Sequence, residues 1–303
     1  MNAKIHFIAL CLCSAVAHAD TIYVANNGNN TIEQFTPSGV GSVFANTGLN
    51  YPYDLAFDQV GNLYASNAGD MTIEKFTPGG VGSLFASTTA NGPGHLAFDS
   101  SGSLYVANYG NGTIEGDRNT IQKFTPDGVG SVFVITTSYQ WGLAFDKVDN
   151  LYVASYNYIS GYTIQKYTPG GVRSLFASTG LNAPIGVAFD SDGNLYAANY
   201  GNNTIEKFTP GGVGSVFANT GLSHPTDLAF DSEDNLYVVN NGNNTIEKFT
   251  PGGVGSVFAS TGLNGAVGIA IVPEPSAFAM FILGVPTLLV FRRLVRSNLE
   301  RNR

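Results

Sequence analysis

The chain has 303 residues, of which 12% are charged, and a formal net charge of −8. Between residues 20 and 271, 20 acidic and 8 basic side chains leave a net charge of −12, which excludes the clustered basic surface of a general nucleic-acid binder. Both cysteines, Cys11 and Cys13, precede this stretch, so it holds no disulfide, thiol nucleophile or zinc thiolate site.

The first predicted element is a secretory signal peptide over residues 1–19. Lys4 provides the positive start, residues 7–16 are apolar, and residues 17–19 have the A-x-A form of a cleavage site. We therefore predict that the chain is exported.

Residues 20–271 contain one unit that is repeated six times. A tyrosine within an Ile/Leu-Tyr-Val/Ala segment recurs every 41 to 47 residues, at Tyr23, Tyr64, Tyr105, Tyr152, Tyr196 and Tyr237. Each unit contains four short predicted strands, a to d, separated by turns rich in Gly, Asn, Asp and Pro. Strands a and b are apolar at successive positions, which indicates a sheet that is packed on both faces. Four-stranded units of this length are typical of β-propeller blades.

The two ends of the repeat region predict how the ring closes. The region begins at a strand b, residues 21–24, and ends at a strand a, residues 267–271, with no strand b after it. If the last strand a joins the first strands b, c and d, two exposed sheet edges are removed. We therefore predict an all-β, six-bladed propeller over residues 20–271, with four strands per blade.

The repeated sequence resembles NHL repeats. Its pattern is Pro-x-Asp/Gly-Leu/Val-Ala-Phe-Asp-x-x-Gly-Asn-Leu-Tyr-Val-Ala-Asn, and the resemblance extends over nearly all of residues 21–271. It implies an NHL-type propeller. It leaves the activity open, because NHL-like propellers include binding platforms, lyases and lactonases.

Two neighbouring units depart from the repeat on one predicted face. In a four-stranded blade, the b–c hairpin and the d–a connection open on one face, and the other two turns open on the opposite face. The b–c hairpins of the third and fourth units, residues 109–119 and 155–162, are longer than the others. The connection between these units contains the only tryptophan, Trp141. Loops on a rigid scaffold often carry binding residues, so we predict a ligand-binding patch here.

This patch is predicted to consist of exposed aromatic rings with polar tips. Such rings suit sugar faces, extended polymers and protein contacts. The predicted ligand-binding residues are Tyr109, Tyr139, Trp141, Tyr156, Tyr158 and Tyr162. The alternative is that Trp141 only packs between blades.

A second, weaker candidate lies at the centre of the same face. The residue before the innermost apolar run of each unit is, in chain order, Asp54, His95, Gly142, Gly186, Asp227 and Gly268. Asp54, His95 and Asp227 are weak candidates for a divalent-metal site at the channel mouth, because histidine and carboxylates bind such ions. Gluconolactonase-like and paraoxonase-like propellers have acidic and amide ligands around this channel, but here glycines interrupt the set. The alternative is that these are solvated loop residues.

The last predicted element is a sorting segment over residues 272–303. Residues 277–291 carry no charge, and as a helix they would be roughly 22 Å long. The hydrocarbon core of a bilayer is ~30 Å thick, so flanking apolar residues would have to supply the remaining length. The residues that flank this stretch are Val272, Pro273, Glu274 and Pro275 on one side and Arg292 and Arg293 on the other. This order of a Val-Pro-Glu-Pro motif, an apolar span and an arginine pair resembles the PEP-CTERM sorting signal of Gram-negative bacteria.

The PEP-CTERM resemblance implies a processing route and a location. The implied partners are signal peptidase and an exosortase, with the C-terminal segment in the inner membrane at least transiently. The final location would be the cell surface or the extracellular matrix of an exopolysaccharide-producing bacterium. The alternative is an ordinary single-pass anchor.

Together these predictions favour an exported, non-enzymatic propeller. It would bind a surface component, such as a polysaccharide or a surface protein, without a cofactor and without nucleic acid. One alternative is a metal-dependent lactonase or lyase of the gluconolactonase or streptogramin-lyase type. Another is a structural matrix protein without a specific ligand.

Overall fold

The structure, a computed structural model, describes residues 20–88, 92–108 and 119–272. These residues form 24 β-strands in six four-stranded antiparallel sheets. The prediction of an all-β, six-bladed propeller with four strands per blade is confirmed. The predicted signal peptide and the predicted sorting segment from residue 273 onward lie outside the described residues. Within the described ranges, no helix is long and apolar enough to cross a membrane.

The first three blades follow the chain from its first described strand. Blade 1 contains β1 (Ile22–Asn26), β2 (Thr31–Phe35) and β3 (Gly41–Ala45), together with the last strand of the chain. Blade 2 contains β4 (Pro52–Phe57), β5 (Leu63–Asn67), β6 (Thr72–Phe76) and β7 (Gly82–Ser87). Blade 3 contains β8 (Pro93–Phe98), β9 (Leu104–Asn108), β10 (Asn119–Phe124) and β11 (Gly130–Thr136).

The remaining blades repeat this order of strands. Blade 4 contains β12 (Tyr139–Phe145), β13 (Leu151–Asn157), β14 (Gly161–Tyr167) and β15 (Arg173–Ala177). Blade 5 contains β16 (Pro184–Phe189), β17 (Leu195–Asn199), β18 (Thr204–Phe208) and β19 (Gly214–Ala218). Blade 6 contains β20 (Pro225–Phe230), β21 (Leu236–Asn240), β22 (Thr245–Phe249) and β23 (Gly255–Ala259), and β24 (Ala266–Ile271) returns to blade 1.

The ring closes as the sequence predicts. β24 pairs antiparallel with β1, so that Tyr23 lies opposite Ala270 and Ile22 lies opposite Ile271. The backbone N–H of Val272 donates to the carbonyl oxygen of Thr21 at 3.1 Å and continues this ladder. Both sheet edges that an open ring would expose are therefore paired.

The core lies between neighbouring blades and is built from the repeated tyrosine. Tyr64 of β5 is buried and makes edge-on ring contacts with Phe85 of its own blade and with Phe98 of the next blade, both at a centroid distance of 5.0 Å. Such edge-on pairs add to the apolar area that the rings bury. Five blade interfaces contain this tyrosine–phenylalanine contact, and at the sixth Tyr237 packs in a cluster with Ile271.

The two faces of the ring can now be defined. On the loop face, b–c hairpins meet d–a connections, as where the N–H of Gly28 donates to the carbonyl of Asn264 at 3.0 Å. On the turn face, where the a–b and c–d turns lie, five blades contain the same Asp–Lys–Tyr unit. In these units the lysine Nζ lies 3.0–3.7 Å from the aspartate and 4.9–5.1 Å from the tyrosine ring centroid.

Blade 1 lacks both charges of this unit. Gln34 occupies the lysine position, opposite Tyr23 in the β1–β2 pairing, and Val272 follows β24 where the other blades have aspartate. The ion pair is therefore lost as a whole, and no unpaired buried charge is left behind. Val272 also places the exit of the described chain on the turn face.

Candidate functional site: an aromatic cluster and a channel cluster

The first candidate site is on the loop face of blade 4. Three strands of this blade, β12, β13 and β14, are seven residues long, whereas most of their counterparts have five or six. The additional residues extend the sheet beyond the level of the other blades. Tyr156 and Asn157 of β13 are paired there with Tyr162 and Gly161 of β14.

This extension carries a ladder of aromatic rings. Tyr139, Tyr156 and Tyr162 lie directly opposite one another on β12, β13 and β14. Side chains in such cross-strand positions stand on the same face of a sheet and contact each other. The ring centroids of Tyr139 and Tyr156 are 6.4 Å apart and those of Tyr156 and Tyr162 are 5.0 Å apart.

Two further rings complete what we call the aromatic cluster, Tyr139, Trp141, Tyr156, Tyr158 and Tyr162. Trp141 is nearly parallel to Tyr156, with an interplanar angle of 7° and a centroid distance of 6.3 Å. Tyr158, in the hairpin, meets Tyr156 edge-on at 5.3 Å and Tyr139 at 6.0 Å. The structure thus brings five of the six predicted ligand-binding residues together, and the sixth, Tyr109, lies outside the described residues.

The cluster has a buried base and an exposed rim. Trp141 is half-buried and packs against the core between blades 4 and 5, so the alternative interpretation of this residue as a packing residue is correct in part. Tyr158 is 80% exposed, and the neighbouring Ile159 is 97% exposed. A hydrogen bond with Tyr158 raises the pKa of the Tyr139 hydroxyl.

Asn157 positions the hairpin and was missed by sequence analysis. Its side-chain oxygen accepts the backbone N–H of Ile159 at 2.9 Å, and its amide donates to the carbonyl of Thr137 at 3.3 Å. The first contact shapes the turn, and the second ties the hairpin to the connection that carries Tyr139. An asparagine at the first position of a hairpin is the signal that could have identified it.

The aromatic cluster is also free of charge. Residues 137–145 and 151–165, which contain all of its members, include no Asp, Glu, Lys or Arg. Hydroxyl, amide and indole groups are therefore the polar groups that this part of the loop face offers to a ligand. This composition suits a neutral polyhydroxylated ligand better than an ion.

The second candidate site is at the centre of the ring. Asp54, His95 and Asp227, which we call the channel cluster, lie on the innermost strands of blades 2, 3 and 6. Each is next to a register shift between the innermost strand and the strand beside it. Such bulges redirect a side chain out of the regular alternation.

The channel cluster is buried, which corrects the alternative interpretation of these positions as solvated loop residues. The exposed fractions are 3% for Asp54, 4% for His95 and 6% for Asp227. The three are strand residues, and the inner strands of neighbouring blades pack directly against one another around them. Sequence analysis placed them at the rim because it located the strand ends without the bulges.

The carboxylates of the channel cluster connect neighbouring blades. Oδ2 of Asp54 accepts the backbone N–H of Leu96 in the next blade at 2.7 Å, and Oδ2 of Asp227 accepts that of Ile269 at 2.9 Å. Nδ1 of His95 lies 3.3 Å from the same Oδ2 of Asp54. Among the described residues, Nε2 of His95 has no hydrogen-bond partner.

Burial and neighbouring charges set the electrostatics of this cluster. Burial by itself lowers the pKa of His95, but the carboxylates of Asp54 and Asp227 outweigh it and the pKa is raised. Burial, together with the nearby carboxylate of Asp54, holds the pKa of Asp227 well above its ordinary value. One donor atom from each of the three residues lies within 4.8 Å of the other two, so the set can hold a cation.

Glycines occupy the equivalent positions in the other three blades because there is no room for a side chain. A Cβ on Gly142 would lie 2.3 Å from the carbonyl oxygen of Ile185. A Cβ on Gly186 would lie 2.6 Å from a carboxylate oxygen of Asp227, and one on Gly268 would lie 2.7 Å from Cα of Asp54. Gly186 and Gly268 therefore leave the room that Asp227 and Asp54 occupy, and Gly142 lets the inner strands of blades 4 and 5 approach each other.

Comparison with known proteins supports the fold. The NHL repeat family matches residues 181–208 and 222–249. The chain carries NHL repeats. No curated protein sequence matches this chain.

Solved structures with the same fold include two enzymes. A gluconolactonase from Xanthomonas campestris is 18% identical with a TM-score of 0.60, and the similarity covers 73% of this chain and 79% of that one. A virginiamycin B lyase from Staphylococcus aureus is 16% identical with a TM-score of 0.60, covering 84% of this chain and 88% of the lyase. At these identities the likeness establishes the propeller fold alone.

Proposed function

We propose that this protein is an exported carbohydrate-binding propeller whose aromatic cluster binds a neutral polysaccharide. The observation that carries the proposal is the ladder of Tyr139, Tyr156 and Tyr162 across three strands, with Trp141 parallel to its central ring. Contacts between these rings across paired strands limit their motion. They therefore form a preorganised surface on which sugar rings can stack with little ordering cost.

Polar groups at the edges of these rings support the same ligand class. The tyrosine hydroxyls and the indole N–H can exchange hydrogen bonds with sugar hydroxyls while the ring faces cover the apolar C–H faces. No charged residue occurs in the segments that carry the cluster. A neutral polymer therefore fits better than a phosphate-rich or strongly acidic one.

The position of the cluster also suits a protein held at a cell surface. We propose export through the predicted signal peptide, and sorting by an exosortase through the PEP-CTERM-like segment to the cell surface or matrix. The described chain leaves the ring at Val272 on the turn face, and the aromatic cluster lies on the loop face of the opposed blade. A tether at the C-terminal end would leave the aromatic cluster directed away from it.

The test is polysaccharide binding by matched variants. Affinity electrophoresis through soluble glucans, mannans and galactans should show retardation of the full-length protein, reduced at least tenfold by Y158A and by W141A. The control is Y51A, because Tyr51 is 55% exposed on the loop face of blade 2 at the position that corresponds to Tyr139. Equal retardation of all four proteins would reject the proposal, and absence of retardation for every polymer would favour a structural matrix protein.

A second candidate function is metal-dependent lactone hydrolysis or lyase chemistry at the channel. The convergence of Asp54, His95 and Asp227 favours it, since one donor atom from each lies within 4.8 Å of the other two. Their exposure of 3–6% places it second, because a substrate has to reach a catalytic group. Turnover of a small lactone or of a streptogramin B antibiotic that is lost in D227N would establish it, and absence of turnover would reject it.

A further inference from the structure

We propose that the channel cluster is a structural binding site for one divalent transition-metal ion, with Zn²⁺ as the best fit. Asp54, His95 and Asp227 would hold the ion and join blades 2, 3 and 6 at the centre of the ring. The inference requires no catalysis and is independent of carbohydrate binding at the aromatic cluster.

The geometry is close to that of a coordination site. One donor atom from each residue lies within 4.8 Å of the others. Two ligands of one zinc ion, each about 2.0–2.2 Å from it, are roughly 3–4 Å apart. A small rotation of the side chains therefore closes the set around an ion, with water completing a tetrahedron.

The histidine is already held in the orientation of a ligand. Its Nδ1 lies 3.3 Å from Oδ2 of Asp54, within the roughly 3–4 Å that separates two ligands of one zinc ion, so both atoms can bind the same ion. Among the described residues the other nitrogen, Nε2, is buried and has no hydrogen-bond partner, so Asp54 is the polar group that orients this ring.

The charge of the cluster also calls for a cation. Asp54 and Asp227 are both almost completely buried, and within the described residues no lysine or arginine forms an ion pair with either. The imidazole of His95, next to Asp54, offers at most one positive charge to these two carboxylates. Buried carboxylates are normally compensated by a partner of opposite charge. Tyr53, whose ring lies edge-on to His95 at 5.4 Å, supplies no charge.

The donor types select the kind of ion. Ca²⁺ takes six to eight oxygen ligands, and Mg²⁺ requires an octahedron of oxygens in which it keeps several waters. One imidazole nitrogen with two carboxylates suits zinc and its first-row neighbours better. The glycines at 142, 186 and 268 leave the remaining three positions of the ring without a side-chain ligand, so a low coordination number is expected.

The experiment measures metal content and thermal stability of the purified full-length protein. After removal of metal with a chelator, Zn²⁺, Mn²⁺, Ca²⁺ and Mg²⁺ are added separately, and bound metal and Tm are determined. We expect one Zn²⁺ per chain, a higher Tm on zinc addition, and little effect of Ca²⁺ or Mg²⁺. H95Q and D54N should each weaken zinc binding at least tenfold, because each removes one ligand of the ion.

The matched control is H224Q, because His224 is the other histidine of the described chain and is exposed on the loop face. It should bind zinc as the unsubstituted protein does. The proposal is overturned if stripped and zinc-treated proteins melt at the same temperature, because protons would then balance the carboxylates. It is also overturned if H224Q loses as much zinc as H95Q.

A measurement on the unsubstituted protein covers the case in which H95Q does not fold. Co²⁺ added to stripped protein should give the visible absorption bands of a four- or five-coordinate site, and their absence would also overturn the proposal. Polysaccharide retardation of the stripped and zinc-loaded samples should be equal. The two proposals can therefore fail separately.

Discussion

The two faces of the ring differ in how strictly the six blades repeat one another. On the turn face, five blades share one Asp–Lys–Tyr unit, and the c–d turn of each blade places a glycine against the outer strand of the blade before it. On the loop face, blade 4 has a longer sheet and a group of aromatic rings. A feature that every blade repeats serves the ring itself, whereas a feature of one blade is available for a specific function.

The strongest test of this contrast uses two adjacent glycines on the turn face. Gly212 has φ +81°, and a Cβ there would lie 2.6 Å from the carbonyl oxygen of Phe176 in the preceding blade. Backbone strain and overpacking together should make G212A lose about 3 kcal/mol of unfolding free energy. The measurement is urea-induced unfolding followed by fluorescence.

The neighbouring residue provides the control for this prediction. Gly211 does not have a positive φ, and a Cβ on it would meet only the hydroxyl of Thr209, at 3.9 Å. G211A should therefore remain within about 0.5 kcal/mol of the unsubstituted protein. Equal stability of the two variants would mean that the c–d turns do not hold the blades together.

A smaller effect is expected from the turn-face ion pairs, and it should depend on pH. Burial by itself would raise the pKa of Asp99, but hydrogen bonds from Ser101, Ser103 and Lys123 outweigh it and the pKa is lowered. A carboxyl whose pKa is lower in the folded state stabilises the fold above its unfolded-state pKa of about 3.9. This stabilisation is lost as the pH falls through the folded-state pKa.

D99N should therefore destabilise the protein by about 1–2 kcal/mol at neutral pH, with the difference shrinking below pH ~4. Unfolding curves at several pH values measure it. The control is D70N, since Asp70 is exposed on the loop face and its carboxylate accepts a hydrogen bond from the Thr72 hydroxyl. A D99N difference that stays constant down to low pH would show that the charge of Asp99 is not what stabilises the blade.

Much of the fold follows from the sequence because the same short sequence pattern occurs six times. The spacing of the tyrosines predicts the size of a blade. The unpaired strands at the two ends of the repeat region predict how the ring closes, and the β1–β24 pairing confirms it. A repeated local pattern needs no information about distant contacts. The blade count and the blades that carry the candidate residues were therefore accessible.

The parts that the sequence does not reveal depend on contacts between blades. The register shift beside Asp54 moves its side chain into the centre, where it accepts the N–H of Leu96 from the next blade. Neither the bulge nor this hydrogen bond has a signature within one repeat. The lengthening of β13 and the ladder from Tyr139 to Tyr162 likewise arise from pairing among three strands.

The smallest expected change in stability completes the comparison, because it concerns the loop face. Tyr158 is 80% exposed and contacts Tyr139 and Tyr156 at its ring edges, so little apolar area is buried by its side chain. Y158A should leave the unfolding free energy within about 0.5 kcal/mol of the unsubstituted protein. Differential scanning calorimetry measures this on the samples used for polysaccharide binding. If Y158A instead destabilised the protein as much as G212A does, the Tyr158 ring would be part of the scaffold. Loss of binding in that variant would then no longer identify a contact with the ligand.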